Sequence, residues 1–319
     1  MKMVNNLKHL ALMITEHCNL DCYHCGRYLA GVKSNLDFQL LQRLSEKIKK
    51  SSITSVRITG GEPFLVKDID KIIGLFGASG LNTSIATNGT LLNKQMIVLL
   101  KEAKLGALWF SIHSVNKSLH DKLAGKRGAY KQMLNSITQS MKAGLIVNIY
   151  FPVSIFNIND CIETLKWLES LGIYRIKLLR LTPFGKASNN NFNHISDAKW
   201  WQLAQNIKEQ IQFQKSDFKM QGCPPENNCE GRCTALPFKH MNISPSGYIY
   251  PCCLVNNVKG MEIGHVAELI EGDWEEMITL FNSRIMLKYN LKQNLIPCIL
   301  SKGKSFEIKS ICPLYSKKI

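Results

Sequence analysis

The sequence predicts an α/β fold: a partial (β/α)6 TIM-type barrel followed by a smaller C-terminal unit built on a β-hairpin and a helix. Three observations predict it. Six short apolar runs between Leu10 and Leu181 alternate with amphipathic helical stretches, the signature of a parallel sheet with right-handed crossovers. The alternation stops at Phe184-Gly185, and a stretch containing Asn189, Asn190, Asn191 and Asn193 follows, which reads as a linker. Beyond Gly222 the composition shifts, because seven of the 11 cysteines fall there. The expected units are therefore a barrel over 1–186, a linker with a bridging helix over 187–221, and a cysteine-rich unit over 222–319.

Taken in order, Leu10–Thr15 is the entry strand and leads into a cysteine-bearing loop. Phe38–Lys50 carries Leu40, Leu41, Leu44 and Ile48 at helical spacing, and Ile53–Thr59 is a strand that ends in Gly60-Gly61. The unit then repeats. Helix Ile69–Phe76 precedes strand Thr83–Ala86, helix Lys94–Lys104 precedes Ala107–Ile112, helix Tyr130–Ala143 precedes Ile146–Val153, and helix Cys161–Leu171 precedes Arg175–Leu181. The bridging helix begins near Asp197, with Trp200, Leu203, Ala204, Ile207 and Ile211 on one face. In the last unit Met241–Ser244 and Tyr248–Pro251 flank Pro245-Ser246-Gly247 as a hairpin, and a helix closes it from Asp273 to Tyr289. In such a barrel the chemistry belongs just past the C-terminal ends of the strands.

Composition narrows the class further. With 319 residues, 45% hydrophobic and 20% charged, the chain is an ordinary globular one, so disordered, collagenous and small disulfide-stapled classes are excluded. The apolar run Leu10–Ile14 is too short for a signal h-region or a membrane span, and a cytoplasmic location without membrane association is expected. Cysteines in a reducing compartment hold metal or do redox chemistry more often than they cross-link. The formal charge of +16 is expected to serve solubility or an acidic partner rather than nucleic acid, since no RNA-binding motif or arginine–aromatic interleaving is present.

Cys18, Cys22 and Cys25 stand as C-x3-C-x2-C in the loop after the first strand. Three thiolates at this spacing suit one face of an iron–sulfur cubane with a metal corner left open; by spacing alone, His17 or His24 could instead complete a zinc site. The triplet resembles the signature of the radical S-adenosylmethionine (SAM) superfamily. Gly60-Gly61-Glu62-Pro63 after the second strand matches that family's GGEP motif, while Thr87-Asn88-Gly89, Ser111-Ile112-His113 and Arg180-Leu181-Thr182-Pro183-Phe184-Gly185 resemble its further cofactor-binding segments. The resemblance covers about residues 8–186. It implies a [4Fe-4S] cluster on Cys18, Cys22 and Cys25, with SAM held by Gly60, Gly61, Glu62, Pro63, Thr87, Asn88, Ser111, His113 and Arg180. An aromatic residue often precedes the last cysteine in the family; here it is His24.

Cys233 and Cys252, with Gly247 between them, form C-x13-G-x4-C, similar to the opening of the SPASM and twitch extensions that hold an auxiliary cluster on a hairpin. Cys298 and Cys312 supply two more thiolates, and no dense run for a second auxiliary cluster follows. One auxiliary [4Fe-4S] cluster on Cys233, Cys252, Cys298 and Cys312 is implied, with Cys229 able to displace one ligand and zinc equally suited to four thiolates. Cys161 and Cys253 read as packing residues. Cys223 lies in Gly222-Cys223-Pro224-Pro225 at the junction of the two units.

A short twitch-type chain with a spare cysteine near the barrel mouth resembles the epipeptide epimerases. These invert residues in ribosomally made precursor peptides, a hydrogen donor such as Cys223 acting across from the radical. A leader-recognition domain in front of Cys18 is not expected, and a reducing partner such as flavodoxin or ferredoxin is implied. Dehydrogenation of a small alcohol, thioether formation in a peptide and a zinc-bearing RNA-binding protein are the alternatives.

Overall fold

The computed structural model describes residues 7–25, 34–181, 186, 195–211, 217–220, 240–251 and 260–288. Their strands form one sheet of ten in the order β10-β9-β8-β1-β2-β3-β4-β5-β6-β7. The first six are β1 (His9–Thr15), β2 (Ser55–Gly60), β3 (Asn82–Thr87), β4 (Ala107–Ser111), β5 (Val147–Val153) and β6 (Arg175–Arg180). They pair in parallel, each with the next. The helices between them are α1 (Phe38–Ile48), α2 (Ile69–Gly77), α3 (Lys94–Glu102), α4 (Lys117–Ala124), α5 (Ala129–Lys142) and α6 (Cys161–Ser170). This is the expected barrel series.

Strand alternation decides the two faces. Leu10, Leu12, Ile14, Val56, Ile58, Ile85, Leu108, Phe110, Ile149, Phe151, Ile176 and Leu178 are buried and join the helix residues Leu41, Leu44, Ile72, Phe76, Ile137 and Leu165 in one core. Their intervening neighbours, such as Ala11, Arg57, Ser84, Trp109 and Lys177, are only half-buried and face the concave side. Each fully buried Leu, Ile or Phe contributes roughly 1.5–3 kcal/mol, so the outer layer holds the barrel and leaves its inner face open to chemistry.

The structure adds two strands and two helices to the expected set. Asp217–Met220 forms β7, parallel to β6, within the segment read as linker. The hairpin strands β8 (His240–Ile243) and β9 (Tyr248–Tyr250) do not stand apart from the barrel: β8 pairs in parallel with β1, Leu10 opposite Met241 and Leu12 opposite Ile243. The two-residue β10 (Gly264–His265) extends the same edge. Helices α7 (Asp197–Gln210), α8 (Val266–Glu271) and α9 (Trp274–Lys288) complete the described elements. Helix α4 was not expected as a separate element. Asn116 caps its start by accepting from Leu119 N, and Gly125 ends it in the left-handed region.

Candidate active site

The loop after β1 carries Cys18, Cys22 and Cys25, all half-buried and none in a disulfide. Its path is set first by the exit of β2. A Cβ on Gly60, whose φ is +135°, would stand 2.3 Å from the Thr15 carbonyl oxygen, and one on Gly61 only 2.0 Å from that of His17. Gly61 N–H donates to Thr15 O at 2.7 Å and Glu62 N–H to His17 O at 2.8 Å. The two glycines thus serve a close backbone contact with the cysteine loop itself.

Glu62 is fully buried. Its Oε1 accepts from Phe64 N–H (3.2 Å) and Thr87 Oγ1 (2.8 Å), and its Oε2 from Asn88 N–H (2.8 Å). Burial outweighs these three donors and pushes its carboxyl up to about 7. The folded chain therefore keeps a proton that the unfolded chain has lost between the ordinary value of 4.5 and about 7. The Glu62 contribution is full below the lower value, and stability falls as pH rises through this window, by on the order of 3 kcal/mol. Urea unfolding at stepped pH will show this slope in the unaltered chain and lose it in Glu62→Gln; identical profiles would contradict it.

Asn88 ties the third strand's loop to the first. Its Nδ2 donates to Asn19 Oδ1 at 2.9 Å and lies 3.8 Å from Cys18 Sγ, while its Oδ1 accepts from Thr90 N–H and Oγ1 at 2.9 and 2.7 Å. Asn19 Nδ2 closes the network on Thr90 Oγ1 at 2.8 Å. Leu20 N–H is a second donor to Cys18 Sγ, at 3.5 Å. Donors aimed at a sulfur stabilise its thiolate and tune a bound cluster.

Helix α4 seats the other side of the loop. Tyr23 N–H donates to Leu123 O at 3.0 Å, a Cβ on Gly125 would stand 2.3 Å from Asp21 O, and Leu20, Ala124 and Ala129 form a small apolar cluster against which Cys18 and Cys22 pack. Lys186 pairs with Asp21, and its N–H donates to Cys25 O at 3.1 Å. Burial, then the Cys25 thiol beside it, push Cys22 up to about 12, so its proton leaves when a cationic group takes its place. Among the described residues no three His, Cys, Asp or Glu side chains converge on a point for a single metal ion; a [4Fe-4S] cluster asks instead for one thiolate per iron. Three thiols outside any disulfide on one pinned loop, with N–H donors on Cys18 Sγ, are a donor set that fits such a cluster.

His113 lies edge-on to His24 with ring centroids 5.0 Å apart, and His120 lies 5.1 Å from His113. Burial pulls His24 and His120 down to about 4 and His113 well below its ordinary value, so a column of neutral imidazoles flanks the cysteine loop. Ser111 shares the inward alternate of β4 with Trp109 and His113. Pro63 opens the short 3-10 turn Pro63–Leu65 that Glu62 caps. Arg180 is not brought to the others: it shares the buried alternate of β6 with Ile176 and Leu178, and its Nε donates to Ile195 O at 3.1 Å. Cys223, Cys229, Cys233, Cys252, Cys298 and Cys312 lie outside the described residues. Asn19, Thr90, Leu123, Gly125 and Lys186 shape the site without having been singled out by motif; the one signal among them is that glycine is a common helix stop, and no helix was expected before Gly125.

A family model described as the radical SAM superfamily matches residues 12–168. Among curated proteins, the chain is 24% identical over 259 residues to Fe-coproporphyrin III synthase of Methanosarcina barkeri, covering 80% of this chain and 65% of that protein. It is 24% identical over 250 residues to the antilisterial bacteriocin subtilosin biosynthesis protein AlbA of Bacillus subtilis, covering 77% and 55%. It thus spans between about half and two thirds of these relatives. Among solved structures, Streptococcus suis SuiB bound to precursor peptide SuiA superposes with a TM-score of 0.71 at 20% identity, over 86% of this chain and 65% of that one, a likeness of fold.

Proposed function

We propose, from the match of residues 12–168 to the radical SAM superfamily model, that the chain is a radical SAM enzyme that converts L- to D-residues in a ribosomally made precursor peptide. The observation that carries the enzyme reading is the cysteine loop itself, three thiols outside any disulfide on a loop pinned by Gly61, Glu62, Asn88 and α4 at the C-terminal mouth of the barrel. A peptide substrate is supported by AlbA, named for bacteriocin biosynthesis, and by SuiB, solved with a precursor peptide.

Cys18, Cys22 and Cys25 would hold the cluster, and SAM would lie against Glu62, Asn88, Ser111 and His113. When bound, this pair supplies one-electron cleavage of SAM, from an electron delivered by a flavodoxin- or ferredoxin-like donor, and hence hydrogen abstraction from the substrate. The chain's residues do the rest. Buried Glu62 keeps the β2 and β3 loops in register, and the imidazole column adds no charge beside the thiolates. Cys233, Cys252, Cys298 and Cys312 are proposed to hold one auxiliary [4Fe-4S] cluster. Cys223 is proposed to give its S–H hydrogen atom to Cα from the face opposite abstraction, since a planar carbon radical inverts only when its second donor stands across from the first; the sulfur radical left on Cys223 returns to the thiol with a second electron from the same reducing donor and a proton from water.

Incubation of the reconstituted enzyme with peptides encoded by neighbouring genes, in deuterated water, tests the reading. Deuterium gain at Cα with an otherwise unchanged mass is expected, and Cys223→Ala should lose the product while SAM cleavage continues. A peptide that loses two hydrogens instead identifies a crosslinking maturase, and no gain in any peptide contradicts epimerisation.

A further inference from the structure

The inner face of the barrel carries an unsatisfied cation that the SAM site does not use. Arg57 on β2 lies over two rings at once, its guanidinium carbon 5.4 Å from the Trp109 ring centre and 5.5 Å from that of Tyr150. Those rings, on β4 and β5, stack at 4.6 Å with their planes 23° apart. Three strand spacings separate β2 from β5, about 14 Å in a flat sheet, so the curvature of the barrel is what folds Arg57 onto this aromatic shelf.

Two hydrogen-bond donors there lack acceptors. Arg57 Nε and Asn148 Nδ2 are both enclosed without a partner, and Asn148 is only 2% exposed. Asn148 stands opposite Trp109 in the sheet register and two residues before Tyr150 on the same alternate. His9, lowered by burial and then by Arg57, adds no acceptor charge. The inward alternates of β1 to β6 and of β8 hold no Asp or Glu, and Asp217, on that alternate of β7, stands at the far edge of the sheet opposite Arg175. A buried donor left unpaired costs about 1–3 kcal/mol, more when charged, and a guanidinium held by aromatic rings keeps its N–H groups for a planar anion.

We propose that Arg57 and Asn148 bind a carboxylate of the substrate inside the barrel, a deepening that rests on the peptide reading above. A guanidinium over Trp109 and a neutral amide in register with Trp109 together match the two coplanar oxygens of a carboxylate. The anion sits several residues below the Gly60-Gly61 turn, along β2, so it fixes how the substrate backbone lies beneath the cysteine loop. Its source is an acidic side chain or a peptide C-terminus.

Four synthetic hexapeptides separate the sources: a central Glu or Gln, each ending in a free acid or an amide, titrated into the full reconstituted chain by calorimetry. The carboxylate form that matches the source should bind at least about tenfold tighter than its neutral counterpart. Arg57→Gln should erase that preference, and Arg57→Lys should keep part of it. Equal binding of acid and neutral forms to the unaltered chain, a comparison that needs no variant, would overturn the proposal. So would a preference that survives in Arg57→Gln, absence of binding by every peptide, or inorganic phosphate displacing the peptides better than acetate does. 5′-Deoxyadenosine is measured in the same samples: preference without SAM cleavage defeats the catalytic reading alone, and cleavage without preference defeats the carboxylate site alone.

Discussion

Gly61→Ala is expected to destabilise the chain by about 2–5 kcal/mol and to abolish cluster loading in whatever fraction still folds. The added methyl would have to occupy space 2.0 Å from the His17 carbonyl oxygen and 2.6 Å from its carbon, and neither is the end of a flexible side chain. Moving them breaks Gly61 N–H to Thr15 O and Glu62 N–H to His17 O, the two bonds that hold the start of the cysteine loop. Gly74→Ala is the matching control. A Cβ there meets nothing within 4 Å, and inside α2 alanine gains up to about 1 kcal/mol of helix propensity. Urea unfolding with iron analysis checks both; a Gly61→Ala chain as stable and as iron-rich as the parent would refute the proposed contact.

The second large effect is complete loss of the first cluster on replacement of any one of Cys18, Cys22 or Cys25 by Ala. Three thiolates are the minimum this site offers, and two leave the cluster without its hold. With one auxiliary cluster retained, bound iron should fall from about eight to about four per chain, and SAM cleavage should stop. Cys161→Ala separates ligand loss from cysteine loss in general. That thiol is fully buried at the start of α6 and burial pushes its pKa up, so its removal costs packing and leaves iron unchanged.

The barrel strands were legible because their outer alternates, Leu10, Leu12 and Ile14 or Ile149, Phe151 and Val153, meet helices and must be apolar. Cysteine spacing and Gly60-Gly61-Glu62-Pro63 marked the site for the same reason: each residue type there answers a chemical or steric demand that few others meet. What escaped was set by register and distance. Strand β7 is four residues with polar alternation, too short to carry a periodic signal, and nothing in Met241–Ser244 announces that it will pair with β1. Gly125 ends a helix by its φ of +66°, but only the fold reveals Asp21 O against it. Glu62, expected to face SAM, has a second role that the motif did not announce: its oxygens accept from Phe64, Thr87 and Asn88 and join the loops after β2 and β3. Arg57 was silent in the sequence, because its two rings lie 52 and 93 positions away and meet it only through curvature.

The most direct test is reductive cleavage of SAM. The full chain, reconstituted anaerobically with iron and sulfide and given SAM and dithionite, should release 5′-deoxyadenosine only when reductant is present, and a Cys18→Ala/Cys22→Ala/Cys25→Ala chain should release none. Intact SAM beside a loaded first cluster, or equal release from the triple variant, would contradict the account.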